Sequence, residues 1–191
     1  VPASFNGVVG LRPSPGRVPR NARLPAFDTL WVEGPMGRNI ADVALMLDGG
    51  SGHSPGDPLS FDSAGPSFSQ ALSGAALPRQ VAFSPDLGVV PMEPEVAEIC
   101  AGAAEGFATI GAKVCRDTPD FSGAIEAFQT LRAVLIAVMM EDLLEAHREQ
   151  IAPEIVWNIE KGLAVSNAEL LEAERVRWRL AQDVTAFFEQ Y

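Results

Sequence analysis

The sequence predicts an α/β protein in which part of a mixed β-sheet is covered by α-helices. Residues 1–36 contain short β-type runs separated by Gly and Pro, which is typical of strands joined by tight turns. Residues 79–120 place a helix-like segment between two strand-like runs, an order that favours parallel pairing. Residues 121–191 carry apolar side chains at spacings of three and four, as helices packed on a core do.

The same patterns divide a single partial domain, residues 1–191, into four segments. We predict sheet and tight turns over 1–50, a connection over 51–78, a βαβ unit over 79–120 and a helical region over 121–191. A length of 191 residues with 47% hydrophobic side chains is sufficient to bury a core.

The charge of the chain argues against a nucleic-acid partner. A net charge of −11 repels phosphates. No apolar run approaches the ~18 residues that cross a bilayer, so we expect no membrane partner. Residues 1–40 are basic. Their arginines could form a basic strip for an acidic partner, but we expect them to meet carboxylates elsewhere in the fold or in sequence outside this chain. These arginines are Arg12, Arg17, Arg20, Arg23 and Arg38.

The first fifty residues are predicted to form short strands and one helix. The strand-like runs cover residues 7–11, 17–19 and 29–33. A helix is predicted over Asn39–Asp48, with Asn39 as its N-cap and Gly49 and Gly50 as its stop signal. Its apolar face comprises Ile40, Val43, Ala44 and Leu47.

A βαβ unit is predicted next. A strand covers residues 80–84, a helix begins with Pro94 in its first position and ends at Gly111, and a second strand covers 113–115. The buried stripe of the helix is predicted to comprise Val96, Ile99, Cys100, Ala103, Phe107 and Ile110. Both cysteines, Cys100 and Cys115, are interpreted as small buried thiols in a reducing compartment, which favours the cytoplasm.

Two long helices are predicted in the last third, over 121–150 and 166–191, both packed on the sheet. The second begins at a capping box formed by Ser166 and Glu169. The first is apolar nearly all round from 133 to 140, so we expect neighbours on every side. The apolar face of the second comprises Leu170, Ala173, Val176, Leu180, Val184, Phe187 and Tyr191.

Two motifs lie within residues 2–42. Pro-Ala at positions 2–3 is followed by Gly-x-x-Gly-Leu-Arg-Pro over 7–13. This run resembles the tail of the signature of the amidase-signature family. Residues 34–42 read Gly-Pro-Met-x-Arg-x-x-x-Asp, similar to the start of a family helix. A looser likeness covers Asp-Pro at 57–58, the strand and helix over 80–111, and Ala173, Arg175 and Phe187. The order and spacing match along essentially the whole chain.

The resemblance implies an amidase-signature fold, here incomplete, and amide hydrolysis by a Ser–cis-Ser–Lys triad. In the family, one serine attacks the carbonyl carbon, a second relays its proton towards a neutral lysine, and backbone N–H groups stabilise the oxyanion. The family pattern places the nucleophile a few residues before Pro2 and the other two residues further upstream. We therefore expect this chain to be an internal piece that begins just after the catalytic serine motif. It would hold no catalytic residue and would be inactive by itself.

The basic residues that are present agree with this interpretation. Lys113 begins a strand and Lys161 lies beside Glu160 on a helix, so both are expected to be solvated. His53 lies in a Gly/Ser/Pro loop and His147 on an exposed helix face. No Gly-x-Ser-x-Gly elbow supports a Ser–His–Asp arrangement, and no cluster has metal-ligand spacing. We expect no metal and no cofactor.

The resemblance also suggests residues around the reaction site. Glycines in residues 7–16 lack both the P-loop and the dinucleotide-binding spacing, so tight turns explain them better. The predicted supports of the nucleophile are Pro2, Ala3, Gly7, Gly10 and Leu11. The predicted substrate-pocket residues, taken from the helical region by family analogy, are Phe128, Leu135 and Trp157.

Three functions remain open from the sequence. The first is the middle of a serine-dependent amidase acting on small or aryl amides. The second is the subunit that releases ammonia from glutamine in tRNA-dependent amidation, which needs a partner subunit. The third is a truncated, non-catalytic structural or binding domain. The expected partner is a small-molecule amide, and a homodimer is left open.

Overall fold

The computed structural model describes residues 2–20, 24–62 and 64–191. Contacts between backbone atoms divide the chain into two compact units, Val1–Ala75 and Ala76–Tyr191. The assignment of 1–191 to one partial domain stays a prediction. The α/β class is confirmed, because each unit combines helices with one pair of strands.

The N-terminal unit is built around two very short antiparallel strands. They pair with Val9 opposite Gly37 and Gly10 opposite Met36. Its elements are α1 (Pro2–Phe5), β1 (Val9–Gly10), β2 (Met36–Gly37), α2 (Ile40–Gly50), α3 (Phe68–Ala71) and a 3-10 turn (Leu72–Gly74).

The strands predicted over 17–19 and 29–33 do not form, and side chains explain the second case. Asp28 accepts hydrogen bonds from the backbone N–H groups of Leu30 (3.1 Å) and Trp31 (2.9 Å). The guanidinium of Arg12 donates to the carbonyl oxygen of Leu30 at 3.1 Å. These backbone groups are therefore satisfied by local side chains rather than by a neighbouring strand, a competition that Asp residues often win.

The predicted capping of α2 is confirmed. The side chain of Asn39 accepts a hydrogen bond from the backbone N–H of Asp42 at 2.9 Å. Val43, Ala44 and Leu47 are buried as predicted, whereas Ile40 is 56% exposed. The helix continues through Gly49 and Gly50 instead of stopping before them. One hydrophobic face thus anchors α2 in the unit.

The C-terminal unit opens with the predicted βαβ arrangement. The two strands pair in parallel, with Val81 opposite Val114, and a helix connects them. The prediction of parallel pairing is therefore confirmed. The elements of this unit are β3 (Gln80–Phe83), α4 (Pro94–Thr109), β4 (Lys113–Arg116), α5 (Ala124–His147), a 3-10 turn (Arg148–Gln150), α6 (Pro153–Leu163) and α7 (Asn167–Phe188).

The predicted buried stripe of α4 is wrong. Ile99 is 65% exposed, Cys100 is exposed, and the other members are exposed as well. The side chain that is buried is Ala104, with Ala97 and Ala101 half-buried on the same face. A face of alanines lets the helix approach two short strands closely, so the larger apolar side chains point away from them. Cys100 is consequently not the buried thiol that we predicted, and Cys115 is half-buried.

The helices α6 and α7 pack chiefly on α5, and not on the strands as predicted for the two long helices. The α6 helix also separates those two helices along the chain. Ile159 on α6 is fully buried. A Cβ atom on Gly162 would overlap the carbonyl oxygen of Ala133 on α5. Arg132 donates to the Oδ1 atom of Asn158 at 2.7 Å across the same contact. The missing side chain of Gly162 therefore sets how closely α6 approaches α5.

The expectation that α5 is covered on every side is wrong for one side of the helix. Ala133 and Ala137 are buried, but Val138 is 67% exposed. Since α6 and α7 cover two sides of this helix, a third side stays open within the unit.

The predicted capping box and apolar face of α7 are confirmed. Ser166 and Glu169 form the capping box, with the serine hydroxyl accepting from the Glu169 N–H at 3.2 Å. Ala173 and Val176 are buried and the other predicted face residues are half-buried. The guanidinium of Arg179 donates to the carbonyl oxygen of Ser122 at 2.8 Å, which ties α7 to the start of α5.

Candidate functional site

The N-terminal unit contains a hollow of about 490 Å³, which we call the N-terminal hollow. It is lined by Pro2, Ala3, Gly10, Leu11, Arg12, Val32, Glu33, Gly34, Pro35 and Met36. The structure thus brings together four of the five predicted support residues. The fifth, Gly7, lies in the turn after α1 with a positive φ of 61°. Both sequence motifs meet in this hollow.

One wall of the hollow forms where α1 packs on β1. The backbone N–H of Val8 donates to the carbonyl oxygen of Ala3 at 3.0 Å, which folds the strand back beneath the helix. A Cβ atom on Gly10 would lie 2.5 Å from the Cβ atom of Ala3. Only glycine permits that approach, so Gly10 fixes the distance between α1 and β1.

The opposite wall comes from the second motif. The backbone N–H of Leu11 donates to the carbonyl oxygen of Pro35 at 3.1 Å. A Cβ atom on Gly34 would overlap the carbonyl oxygen of Leu11. The sequence reasoning did not include residues 34–36 among the site residues. The available signal was the Gly-Pro-Met motif, whose glycine is needed for this close approach.

Two charged side chains line the hollow, and both are held by local contacts. The guanidinium of Arg12 donates to carbonyl oxygens in the 29–30 segment, at 3.4 and 3.1 Å. The carboxylate of Glu33 accepts from the Nε1 atom of Trp31 at 3.3 Å. Among the residues that the structure describes, the lining includes no Ser, Cys, His or Lys. Within the described residues, the ionisable side chains of the lining are therefore those of Arg12 and Glu33.

A buried ionic network supports the same unit. Arg20 and Asp57 are 8% and 3% exposed, and the backbone N–H of Arg20 donates to Asp57 at 2.9 Å. The Arg20 guanidinium also contacts Asp28 at 3.1 Å. Backbone hydrogen bonds from Arg20 and Leu59, together with the Arg20 charge, hold the pKa of Asp57 below its usual value, against the opposing effect of burial. Asp57 is thus a buried anion that organises the loop around it.

The predicted pairing of the N-terminal arginines is confirmed for Arg20 and Arg38, the latter with Asp42 at 3.3 Å. Arg17 lies over the ring of Phe61, 4.5 Å from its centroid. Arg12 contacts backbone carbonyl oxygens, and Arg23 lies outside the described residues.

The three predicted pocket residues occupy different surroundings. Phe128 is 49% exposed and Leu135 half-buried, both on α5, while Trp157 on α6 is 57% exposed. The ammonium of Lys161 lies 5.1 Å from the centroid of the Trp157 ring. Trp157 borders a hollow of about 370 Å³ together with Arg148, and neither Phe128 nor Leu135 lines it. Their role in a substrate pocket stays a prediction.

The histidines and Lys113 do not form a catalytic arrangement with the side chains around them. The Nδ1 atom of His53 lies 3.4 Å from the hydroxyl oxygen of Ser60, but that hydroxyl donates to the carbonyl oxygens of Ser54 and Asp57. Lys113 and His147 are exposed. Over 2–20, 24–62 and 64–191, no group of three or more His, Cys, Asp or Glu side chains could hold a metal ion. Within the same ranges, no helix has the length and apolarity needed to cross a bilayer.

Comparison with known proteins decides the family. The model of the Amidase family matches residues 1–191. This chain belongs to the amidase family. The sequence resemblance to amidase-signature enzymes is thereby confirmed, and the N-terminal hollow is a feature of an amidase-family chain.

Relatives and solved structures agree with the assignment. The chain is 30% identical to an acylamidase of Rhodococcus erythropolis, with 100% of this chain and 40% of that protein aligned. It is 31% identical to a glutamyl-tRNA(Gln) amidotransferase subunit of Moorella thermoacetica, covering 100% and 44%. The structure of 6-aminohexanoate cyclic dimer hydrolase complexed with substrate superposes with a TM-score of 0.78 at 26% identity, covering 99% of this chain and 42% of that one. The chain thus spans less than half the length of these relatives.

Proposed function

We propose that this chain is part of an amidase that hydrolyses a carboxylic amide to an acid and ammonia or an amine. The reaction would use the Ser–cis-Ser–Lys mechanism, with all three catalytic residues upstream of Val1. The observation that carries the proposal is the meeting of both family motifs in the N-terminal hollow. The likeness of the whole chain to an acylamidase supports it.

The role of this chain in the reaction would be support. Pro2 and Ala3 belong to α1, the segment that would begin a few residues after the nucleophile. Gly10 lies under α1 and Gly34 braces β1 from the other side, so both glycines position that segment. A displacement of about 1 Å at a reacting group can cost a factor of about 100 in rate, so this support matters for activity.

A glycine series in the longer parent protein tests the proposal. We expect Gly10→Ala to lower kcat for an aryl amide by about 10–100-fold, because the new methyl group pushes on Ala3 and displaces α1. The double variant Gly10→Ala, Ala3→Gly removes the opposing methyl group and should recover most of the activity. Gly49→Ala is the matched control, since a Cβ atom there meets nothing within 4 Å. Steady-state kinetics on all three variants check the expectation.

Two outcomes would contradict the proposed function. Hydrolysis by the 191-residue chain alone would show that catalytic residues lie within it. A parent protein without amide hydrolysis would instead favour the truncated structural or binding domain. The glutamine-hydrolysing subunit is the second candidate, supported by the likeness to the Moorella thermoacetica amidotransferase. Ammonia release from glutamine, measured beside aryl amide hydrolysis, separates these two enzymes.

We further propose a cytoplasmic location, a small amide as the partner, and Phe128, Leu135 and Trp157 as pocket residues. Both cysteines are free, which suits a reducing compartment. A homodimer would cover apolar surface such as the exposed stripe of α4, and sedimentation of the parent protein tests it.

A further inference from the structure

The C-terminal unit contains another hollow, at the carboxyl ends of β3 and β4, which we call the strand-end hollow. Its volume is about 350 Å³, and its walls include Phe83, Phe121, Phe187 and Phe188. Small-molecule sites have volumes of about 300–1,000 Å³ and mainly apolar linings. Ligands of α/β proteins bind beyond the carboxyl ends of parallel strands. The hollow therefore has the position, size and lining of a small-molecule site.

One carboxylate is placed in this apolar lining. Asp117 directly follows β4, and it accepts hydrogen bonds from the Tyr191 hydroxyl at 2.8 Å and from the Thr118 N–H at 2.9 Å. In the described part of the chain, no Lys or Arg forms an ion pair with it. Each carboxylate oxygen can accept about two hydrogen bonds, so both retain capacity. Asp117 is an exposed residue, so it borders the hollow as a carboxylate without a cationic partner among the described residues.

The hydroxyl that holds Asp117 remains a donor at physiological pH. The Sγ atom of Cys115 lies 3.1 Å from the Tyr191 hydroxyl oxygen. Contacts with Cys115 and Asp117 raise the pKa of Tyr191 above its usual value, so the phenol stays protonated. The Tyr191 ring in turn stacks on Phe187 at 4.6 Å. Tyr191 thus links the Asp117 carboxylate to the phenylalanines of the hollow.

Leu87 enters the lining from a strained turn. Its φ is +53°, a conformation that is unfavourable for residues other than glycine. The turn is held by hydrogen bonds from the Leu87 N–H to the Ser84 hydroxyl at 3.0 Å and from the Gly88 N–H to Asp86 at 2.9 Å. The turn places the side chain of Leu87 in the lining of the hollow, where it adds an apolar group.

We propose that the strand-end hollow binds a small aromatic molecule that carries a protonated amine. The ring would pack among the phenylalanines, whose edge-to-face pair Phe187–Phe188 shows the geometry that such rings favour. The ammonium group would donate to Asp117, forming the ion pair that this residue lacks within the described part of the chain. The net charge of −11 also attracts cations. This binding does not depend on the proposed hydrolysis.

A titration of the 191-residue chain with three probes of one shape tests the proposal. Benzylamine is the cation, benzyl alcohol its neutral analogue and benzoate its anionic analogue. We expect benzylamine to bind at least about tenfold more tightly than benzyl alcohol, since hydrogen bonds to charged groups are the stronger class. The amide shifts of Leu87, Gly88 and Thr118 should report saturation. Equal affinity for all three probes, or no saturable shift with benzylamine, would overturn the proposal.

Two variants test the contributions of the charge and of the apolar lining to binding separately. Asp117→Asn should reduce the preference for benzylamine over benzyl alcohol to less than about twofold while both still bind. Leu87→Gly relieves the positive φ, so the Tm should stay the same or rise while both probes bind more weakly. Phe27→Gly is the matched control, since Phe27 has a φ of +63° in the other unit and should leave binding unchanged. A retained preference in Asp117→Asn, or unchanged affinity in Leu87→Gly, would contradict the site.

Discussion

Replacing Asp57 with alanine should lower the free energy of unfolding of the N-terminal unit by about 3–5 kcal/mol, as removal of one partner of a buried ion pair does. The variant leaves the Arg20 guanidinium, which is 5% exposed, without one of its two carboxylates. It also leaves the backbone N–H groups of Arg20 and Leu59 without their acceptor. Unpaired buried donors lower the free energy of unfolding further.

Urea denaturation followed through Trp31 measures this effect, because the backbone of Trp31 belongs to the same network. A background with Trp157→Phe and Trp178→Phe makes Trp31 the only reporter. Asp42→Ala is the matched control, since its pair with Arg38 is exposed and should contribute less than about 1 kcal/mol. Equal losses in the two variants would show that the buried network does not stabilise the unit.

The same network predicts a pH dependence with a definite sign. The folded-state pKa of Asp57 lies below its unfolded value, so its contribution is fully present above the unfolded pKa. That contribution is lost as the pH falls below about 4 towards the folded pKa. The stability difference between the natural chain and Asp57→Asn should therefore shrink below about pH 4. A difference that stays constant from about pH 7 to about pH 3 would contradict this assignment.

Replacing Ile159 with alanine should destabilise the C-terminal unit by about 2–5 kcal/mol. Ile159 is 0% exposed and lies on α6, at its contact with α5. The contact is rigid, because Gly162 brings the α6 backbone against the Ala133 carbonyl. Rigid surroundings collapse poorly into a new cavity, which places the expected loss in the upper part of the range.

Conservative and exposed variants sharpen this test. Ile159→Val removes one methyl group and should cost about 0.5–1.5 kcal/mol. Ile99→Ala is the matched control, because Ile99 is 65% exposed on α4 and its loss should change stability by less than about 0.5 kcal/mol. Urea denaturation followed by far-UV circular dichroism measures all three. A loss in Ile99→Ala as large as in Ile159→Ala would show that Ile99 is covered in solution.

Helix starts were predictable because each depends on a few neighbouring residues. Asn39, Pro94 and Ser166 each begin the helix that the sequence predicted for them. The parallel pairing of β3 and β4 was predictable as well, since a helix between two strands constrains their direction. The support residues of the N-terminal hollow came from a family resemblance, and the structure gathers four of the five there.

Burial was less predictable, since it depends on the partner that an element meets. The α4 helix has a large apolar face and a face of alanines, and its two short strands accept the alanine face. The segment 29–33 has strand-like residues, yet Asp28 and Arg12 satisfy its backbone groups first. Neither outcome can be read from hydrophobic spacing.

By itself the sequence determined the α/β class, the starts of α2, α4 and α7, and the amidase family, because these follow from local chemistry and from ordered motifs. Only the tertiary structure decided three contacts. Gly34 packs against the Leu11 backbone, buried Asp57 accepts a hydrogen bond from Arg20, and Asp117 lines the strand-end hollow. Each of these joins residues well separated along the chain or places a carboxylate beside apolar side chains. The physical reason is that distances across a core depend on the packing of the elements that form it, which no single segment of sequence contains.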